Sequence, residues 1–161
     1  MINHTYFNIM TPEEFYTQYL ISLGREGNFN PRGFIVDKFG DSPEMADELL
    51  EPVLSGLKTA TCSALWEWEH EGNPPPKPGL LSVILDGNSE PKCIIETVEV
   101  TLKNYNEVDA EFARDEGEGD LSLEYWRDAH KRFFTRTLPA IGKEFRDDMP
   151  LVCERFRVVW K

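Results

Sequence analysis

Two segments of the sequence alternate apolar and polar residues over ten or more positions, a pattern typical of strands with one buried face. In residues 92–102, the apolar positions of one face are Ile94, Val98, Val100 and Leu102. In residues 151–160, they are Val152, Phe156, Val158 and Trp160. Glu96 and Glu154 interrupt these faces, so each is expected to be buried with a partner or to lie at the mouth of a barrel. The chain must therefore build a sheet around these two strands.

Three helices are predicted beside the sheet. A capping box at residues 11–14 begins the first helix, which ends at Gly24. The second helix begins at residues 41–44 and ends at Gly56, a suitable C-cap. The third helix covers residues 122–136, where apolar side chains recur at helical spacing.

Shorter strands are predicted at residues 57–63 and 80–85, separated by a proline-rich loop that cannot be helical. Trp66 and Trp68 lie on one face of a further predicted strand, where they could stack a base or cover one end of the barrel. Strands interspersed with helices favour the α+β class, with a mixed β-barrel or curled sheet and flanking helices.

Charge narrows the range of partners. The 161 residues carry 17 basic and 29 acidic side chains, for a net charge of −12. Nonspecific duplex binding depends on neutralising phosphates, so we expect no generic duplex DNA partner, and anionic membranes are disfavoured for the same reason. A nucleoside or a short RNA element in a confined cleft is compatible with this charge. No apolar stretch approaches the roughly 20 residues of a membrane span, and no signal-peptide pattern is present, so we expect a cytoplasmic protein.

The sequence shows no metal-binding pattern. The three histidines do not cluster, and the three cysteines are widely spaced without a C-x-x-C pair, so neither a zinc site nor a disulfide framework is indicated. We therefore predict no metal and no cofactor. The cysteines are expected to be reduced, buried, small apolar residues: Cys62, Cys93 and Cys153.

The first segment that could carry chemistry is residues 56–63, GLKTATCS, at a junction between helix and strand. A lysine close to hydroxyl residues can act as a general base if its pKa is lowered. The alternative is structural: Lys58 would then interact with the C-terminal end of the helix dipole, ahead of an ordinary threonine-rich strand.

The second segment is residues 111–120, EFARDEGEGD, which is predicted to be an acidic loop before the third helix. Carboxylates at a helix N-terminus are favourable, so a solvated cap explains the charge. A cap does not require two glycines, however, and a tight turn that directs Glu116 or Glu118 into a cleft would use them. Within the following helix, Trp126, His130 and Phe134 share one row, which is more typical of core than of a binding stripe.

Together these segments resemble the ASCH domain family. The first carries Gly56-Leu57-Lys58-Thr59-Ala60-Thr61. The second carries Phe112-Ala113-x-x-Glu116-Gly117-x-Gly119-Asp120 and then Tyr125-Trp126-x-x-x-His130. The resemblance extends over residues 35–161 and leaves residues 1–34 as an N-terminal helical extension. It implies a PUA-like mixed β-barrel with a cleft between barrel and helices, a fold associated with RNA binding.

The resemblance also implies site residues. Some small members of the family remove the acetyl group from acetylcytidine, and their catalytic set falls on Lys58 as base, Thr61 as nucleophile and Glu116 as proton donor. Glu118 competes with Glu116 for the third role, because this chain has Gly-Glu-Gly-Asp at that point. Further substrate contacts are expected from Gly56, Thr59, Ser63, Glu118, Trp126 and His130.

Three functions follow from these observations. The first is a metal-independent amidohydrolase acting on acetylcytidine-like substrates. The second is a module that binds RNA or a modified nucleoside without turnover. The third is a ribonuclease, which needs a cation for its transition state, with Lys58, Arg114 and Arg127 as the only candidates near the motifs.

Overall fold

A computed structural model describes residues 9–161. Residues 1–8 of the predicted N-terminal extension, including His4, lie outside the described residues. No helix in the described part is long and apolar enough to cross a membrane.

Five strands form one curled sheet, a half-barrel, in the order β1-β3-β4-β5-β2. The strands are β1 Ile35–Asp37, β2 Ala60–Ala64, β3 Leu81–Leu85, β4 Pro91–Asn104 and β5 Pro150–Trp160. β1 pairs in parallel with β3, and the other pairs are antiparallel. The two segments with long alternation are β4 and β5, neighbours at the centre of the sheet, and β2 is an edge strand. The predicted α+β class with flanking helices is confirmed.

Within residues 9–161, five helices surround this sheet. They are α1 Pro12–Ser22, α2 Pro43–Ser55, α3 Leu65–Glu71, α4 Ala110–Asp115 and α5 Leu123–Thr137. Short 3-10 turns follow β4 and α5, at Tyr105–Glu107 and Leu138–Ile141. The ends of the helices follow the local chemistry of the sequence. Ser42 and Ser122 cap α2 and α5 by accepting hydrogen bonds from backbone amides three residues ahead.

The helices cover both faces of the sheet. α1 packs its Tyr16 and Leu20 against Val83 and Ile94, so the described part of the N-terminal extension packs on the same sheet as the rest of the chain. The boundary at residue 35 stays a prediction. α2 packs against the opposite face, where its side chains contact Ile84, Cys93, Ile95 and Phe156.

α4 and α5 form the remaining cluster with β2 and β5. Trp126 and Phe134 of α5 pack with Ala60, Leu151 and Cys153. Cys153 and Phe156 point to opposite faces of β5, since their positions differ by an odd number. α2 and α5 therefore contact opposite faces of the curled sheet at β5, and both reach past its edge strand β2.

The predicted buried face of β4 is wrong in part. Val98 and Leu102 are exposed, while Cys93, Ile94 and Ile95 are buried in succession. A β-bulge between Thr97 and Glu99 shifts the alternation, and helices on both faces bury consecutive residues before it.

Three local predictions also need correction. The segment of Trp66 and Trp68 is the helix α3, in which the Trp68 indole donates a hydrogen bond to Ser63. The alternation of tryptophan and glutamate there is too short to distinguish strand from helix. Residues 111–115 of the predicted acidic loop belong to α4. The predicted strand 57–63 begins only at Ala60, because the amides of Lys58 and Thr59 donate to Pro52 and Asp115 rather than to β5.

Candidate functional site

A cavity of about 580 Å³ lies between α2 and α5. Its walls come from α2, the turn after it, the edge strand β2, the loop 116–119 and α5. Lys58, Thr61, Glu116, Glu118 and His130 all line it. The two segments that the sequence singles out thus meet in one cavity, although 58 residues separate Lys58 from Glu116 in the chain.

Backbone hydrogen bonds place Lys58 at the floor of this cavity. Gly56 ends α2 in the left-handed conformation, and the amide of Lys58 donates back to the carbonyl of Pro52 at 2.9 Å. The amide of Thr59 then donates to the carbonyl of Asp115 at 2.8 Å, which joins the turn to the end of α4. The turn is thereby fixed on both sides, and the Lys58 side chain is only 1% exposed.

The two glycines of the acidic segment have a steric explanation. Gly117 has φ +70°, and a Cβ there would lie 2.8 Å from the Cα of Lys58. Gly119 has φ +57°, and a Cβ there would overlap the ring of Tyr125. The loop 116–119 therefore lies directly on the Lys58 backbone, an approach that requires residues without a side chain.

All three protons of the Lys58 ammonium group are used in hydrogen bonds. Nζ donates to the Glu116 carbonyl at 3.1 Å, to Glu116 Oε2 at 3.0 Å and to Glu118 Oε1 at 2.9 Å. Burial lowers the pKa of Lys58, but the charges of the two carboxylates outweigh it and hold this pKa above its usual value. Lys58 is therefore a charged ammonium group in the resting site. None of its hydrogen bonds goes to Thr61.

Glu116 is buried and has a donor for each carboxylate oxygen. Oε2 accepts from Lys58, while Oε1 accepts from the Trp126 indole at 3.0 Å and lies 3.4 Å from His130 Nε2. Burial raises the pKa of Glu116, but the charges of Lys58 and His130 outweigh it and leave this pKa well below its usual value. Glu116 is therefore a carboxylate at neutral pH.

Glu118 is the more exposed of the two carboxylates. Its side chain is 18% exposed, against 1% for Glu116. It has one hydrogen bond, from Lys58. Glu118 is thus the partner of Lys58 that a ligand in the cavity can reach and displace.

Thr61 and Cys62 both line the cavity from the edge strand β2, where successive side chains alternate between the two faces. Thr61 pairs with Glu154 across the sheet, and Cys62 pairs with Cys153. Cys62 packs on the side of α5 near Glu116, and burial, with the charge of Glu116, raises the pKa of its thiol well above the usual value. Cys62 therefore carries a neutral thiol. Its side chain is half-buried and lines the cavity, so Cys62 is not a simple core residue.

Cys62, Glu116 and His130 place one ligand atom each within 4.8 Å of one another, the arrangement closest to a metal site among residues 9–161. The surroundings do not suit a cation. The Lys58 ammonium lies 3.0 Å from the Glu116 carboxylate, both carboxylate oxygens already accept from donors, and the thiol is held protonated. These three residues are not assigned as metal ligands.

Other predicted contact residues lie outside the cavity. Gly56 and Thr59 line a separate groove of about 330 Å³ beside β5, and the Ser63 hydroxyl accepts from Trp68. Trp126 is only 2% exposed and lies behind Glu116.

The two acidic residues that interrupt the strand faces both have partners. Glu96 accepts from Arg157 at 2.6 Å. Glu154 accepts from Thr97 at 3.1 Å, and burial raises its pKa to about 6.

Several further residues line the cavity that were not among the predicted site residues. The Phe39 ring lies 5.6 Å from Lys58 Nζ, and α5 adds Tyr125, Phe133 and two arginines. The arginines are paired, Arg136 with Asp41 at 2.7 Å and Arg132 with Asp128. The cavity residues of α5, at positions 125, 129, 132, 133 and 136, lie on a single helical face. This spacing is the signal that could have indicated them.

Comparison with known proteins identifies the family of the chain. The ASCH domain family matches residues 35–160. An ASCH domain from Lactobacillus crispatus JV V101 is 39% identical, with a TM-score of 0.86 over 97% of this chain and 99% of that chain. Protein EF3133 from Enterococcus faecalis V583 is 38% identical, with a TM-score of 0.82 over 92% of this chain and 88% of that chain. No curated protein matches the chain.

These similarities confirm the resemblance and the PUA-like fold with its flanking helices. The finer resemblance to the acetylcytidine amidohydrolases stays a prediction. The family is one that is often linked to RNA binding. The chain belongs to the ASCH domain family.

Proposed function

We propose that the cavity binds a modified cytidine and hydrolyses its N-acyl amide, with Lys58, Thr61 and Glu116 as the catalytic groups. The observation that carries the proposal is the buried Lys58–Glu116 ion pair in a cavity that Thr61 also lines. A buried ion pair contributes little net stability compared with apolar residues of the same volume. Perturbed, paired ionisable groups in a cleft are typical of functional sites.

The size and walls of the cavity support a ligand of nucleoside size. Its volume of about 580 Å³ falls within the range for small-molecule sites, roughly 300 to 1,000 Å³. The rings of Phe39, Tyr125 and Phe133 provide flat apolar surface for a base. The net charge of −12 opposes a long polyanion, so we propose a nucleoside or a short RNA element rather than generic duplex DNA as the ligand. The free cysteines fit a reducing compartment, and we propose the cytoplasm.

The resting protonation states of Lys58 and Glu116 differ from those that the proposed roles require by the position of one proton. A base needs a neutral Lys58, and a proton donor needs a protonated Glu116. Transfer of one proton along the 3.0 Å hydrogen bond from Nζ to Oε2 produces both states at once. Displacement of Glu118 by the ligand favours this transfer, since it removes one of the two negative charges that stabilise the ammonium group.

The later steps return both groups to their resting protonation states. Neutral Lys58 takes the hydroxyl proton of Thr61 as its oxygen adds to the acyl carbonyl. Protonated Glu116 donates to the departing amine as the carbon–nitrogen bond breaks. Lys58 is then an ammonium group and Glu116 a carboxylate again, and water hydrolyses the acyl ester on Thr61.

A non-catalytic binding module is the second candidate, and one observation favours it. The ammonium protons of Lys58 are all engaged, and Glu116 is held as a carboxylate by hydrogen bonds from Lys58 and Trp126 and by the nearby His130. Such a site can present fixed charges to a modified base without turnover. The ribonuclease candidate ranks third, because Arg132 and Arg136 of the cavity wall are paired with carboxylates, and Arg114 and Arg127 do not line the cavity.

The experiment incubates the purified protein with acetylcytidine and measures the release of cytidine and acetate by chromatography. We expect release by the wild type, loss of about 100-fold or more in Thr61→Ala, and partial activity in Thr61→Ser, which keeps the hydroxyl. Thr101→Ala on β4, outside the cavity, is the matched control and should keep full activity. Acetylcytidine that binds but is never hydrolysed, with equal affinity for wild type and Thr61→Ala, would leave the binding module as the function.

A further inference from the structure

His130 has an acceptor at each ring nitrogen. Nδ1 lies 2.8 Å from the carbonyl oxygen of Trp126, which can only accept a hydrogen bond. Nε2 lies 3.4 Å from Oε1 of the Glu116 carboxylate, which also can only accept. The carbonyl requires a proton on Nδ1, and the nearby carboxylate favours a second proton on Nε2. Only the imidazolium form carries both.

The charge of the whole cluster supports this form. Lys58, Glu116, Glu118 and an imidazolium at His130 make two positive and two negative charges in a largely buried group. With a neutral His130 the cluster would hold one uncompensated negative charge, which is costly away from water. Cys62 faces the ring from β2 as a neutral thiol, and Arg132 on the same helix is paired with Asp128.

The ring is also held in place by its stacking on Trp126. The two ring centroids are 4.2 Å apart and the planes are inclined by 19°. A cation over an indole face is favourable, so this contact stabilises the charged form as well as the orientation. The Trp126 indole donates to Glu116 Oε1, and His130 Nε2 lies 3.4 Å from the same oxygen, which leaves Oε2 facing Lys58.

We propose that His130 is the positioning residue of this site, an imidazolium that holds the Glu116 carboxylate in the orientation in which it pairs with Lys58. This assignment concerns the resting site and holds for an enzyme and for a binding module. Its consequence for turnover rests on the proposed hydrolysis. His130 acts through Glu116 in this assignment, without a contact to the reacting atoms.

The first test does not depend on any ligand. Imidazole nitrogen NMR of the full chain, assigned by loss of signals in His130→Gln, reports how many protons the ring carries. We expect both nitrogens of His130 to remain protonated near pH 7.5, about one unit above the ordinary pKa of histidine. A neutral ring with a single proton on Nδ1 at that pH would overturn the proposal.

The second test separates charge from hydrogen bonding. His130→Gln can still donate to Glu116 but has no charge, whereas His130→Phe keeps the stacked ring and loses both. Carboxyl carbon NMR should show the pKa of Glu116 rising in His130→Gln and rising further in His130→Phe. His70→Gln, at an exposed position on α3, is the matched control and should leave it unchanged. An unchanged Glu116 titration in His130→Gln would overturn the positioning role even if the ring is charged.

The third test connects the role with turnover. The kcat of His130→Phe should be about 10- to 100-fold lower with KM little changed, because Glu116 is no longer held toward Lys58, and His130→Gln, which keeps a donor, should restore part of the rate. A His130→Phe variant with the wild-type kcat would contradict the role. If the wild type hydrolyses nothing, the proposed function fails, whereas the two NMR tests still decide the assignment of His130.

Discussion

Lys58 and Glu116 form an ion pair of 3.0 Å in which each side chain is only 1% exposed. The pair joins the turn after α2 to the end of α4, and backbone hydrogen bonds between the same segments hold it in register. Burial of two charges is costly, and here it is offset by further donors and acceptors around both groups. Because both charges are buried, removal of either partner should lower the free energy of unfolding.

Lys58→Met should strongly destabilise the fold. The substitution leaves the Glu116 carboxylate buried without its main counter-charge, so we expect the free energy of unfolding to fall by about 3 to 5 kcal/mol. Urea unfolding at pH 7 measures this change. Lys103→Met is the control, because Lys103 is more exposed and pairs with Asp109 at 3.8 Å, and it should cost about 1 kcal/mol or less. Equal losses in the two variants would show that the buried pair has no special part in stability.

The close approach of the loop 116–119 to Lys58 predicts a difference between two glycines. Gly56 and Gly117 both have positive φ, but a Cβ on Gly56 meets no atom within 4 Å. Gly56→Ala should therefore cost only the conformational penalty, about 1 kcal/mol. Gly117→Ala should cost about 2 kcal/mol more, because its Cβ would overlap the Lys58 backbone. Thermal or urea unfolding measures both, and equal effects would mean that the loop does not need this contact.

Glu154 predicts a dependence of stability on pH. Burial raises its pKa from 4.5 to about 6, so its charge destabilises the folded protein, and this cost develops as the pH rises from about 4.5 through 6. At pH 8 the cost is about 2 kcal/mol, at 1.36 kcal/mol per pKa unit. Glu154→Gln should therefore be more stable than the wild type at pH 8 by about 1 to 2 kcal/mol, with little difference at pH 4.

Glu99→Gln on the exposed part of β4 is the matched control for Glu154→Gln. It should change the free energy of unfolding by no more than about 0.5 kcal/mol at either pH. A Glu154→Gln variant with the same stability gain at pH 4 and pH 8 would show that charge is not the cause.

The sequence anticipates the site better than it anticipates the sheet around it. The convergence of the segments of Lys58 and Glu116 follows from the resemblance to a family. The glycines beside Glu116 predict a tight turn that directs a carboxylate into a cleft, whereas the close approach of this turn to the Lys58 backbone is seen only in the structure. The exposure of Val98 does not follow from the alternation, because the bulge that shifts it depends on pairing with β5. The helical spacing puts Arg136 on one face with Tyr125 and Phe133, but that this face lines the cavity depends on how α5 packs.

The protonation states of the site are also beyond the sequence. The positions of Lys58 and Glu116 in the sequence do not indicate that both side chains are charged when buried. Their states depend on donors and acceptors brought together from distant segments, such as the Trp126 indole and the His130 ring. Sequence patterns can indicate which residues share a site, whereas the charge of each depends on the assembled network.

The claim that Thr61 and Glu116 act as one catalytic unit is tested most directly by a double-mutant cycle on the rate of cytidine release from acetylcytidine. The four proteins are the wild type, Thr61→Ala, Glu116→Gln and the double variant, with circular dichroism and cytidine binding to verify that each is folded. We expect each single substitution to lower the rate by about 100-fold or more and the double variant to be no slower than Thr61→Ala, because residues that act as a unit do not give additive losses. Losses that multiply in the double variant, or full activity in Thr61→Ala, would contradict the claim.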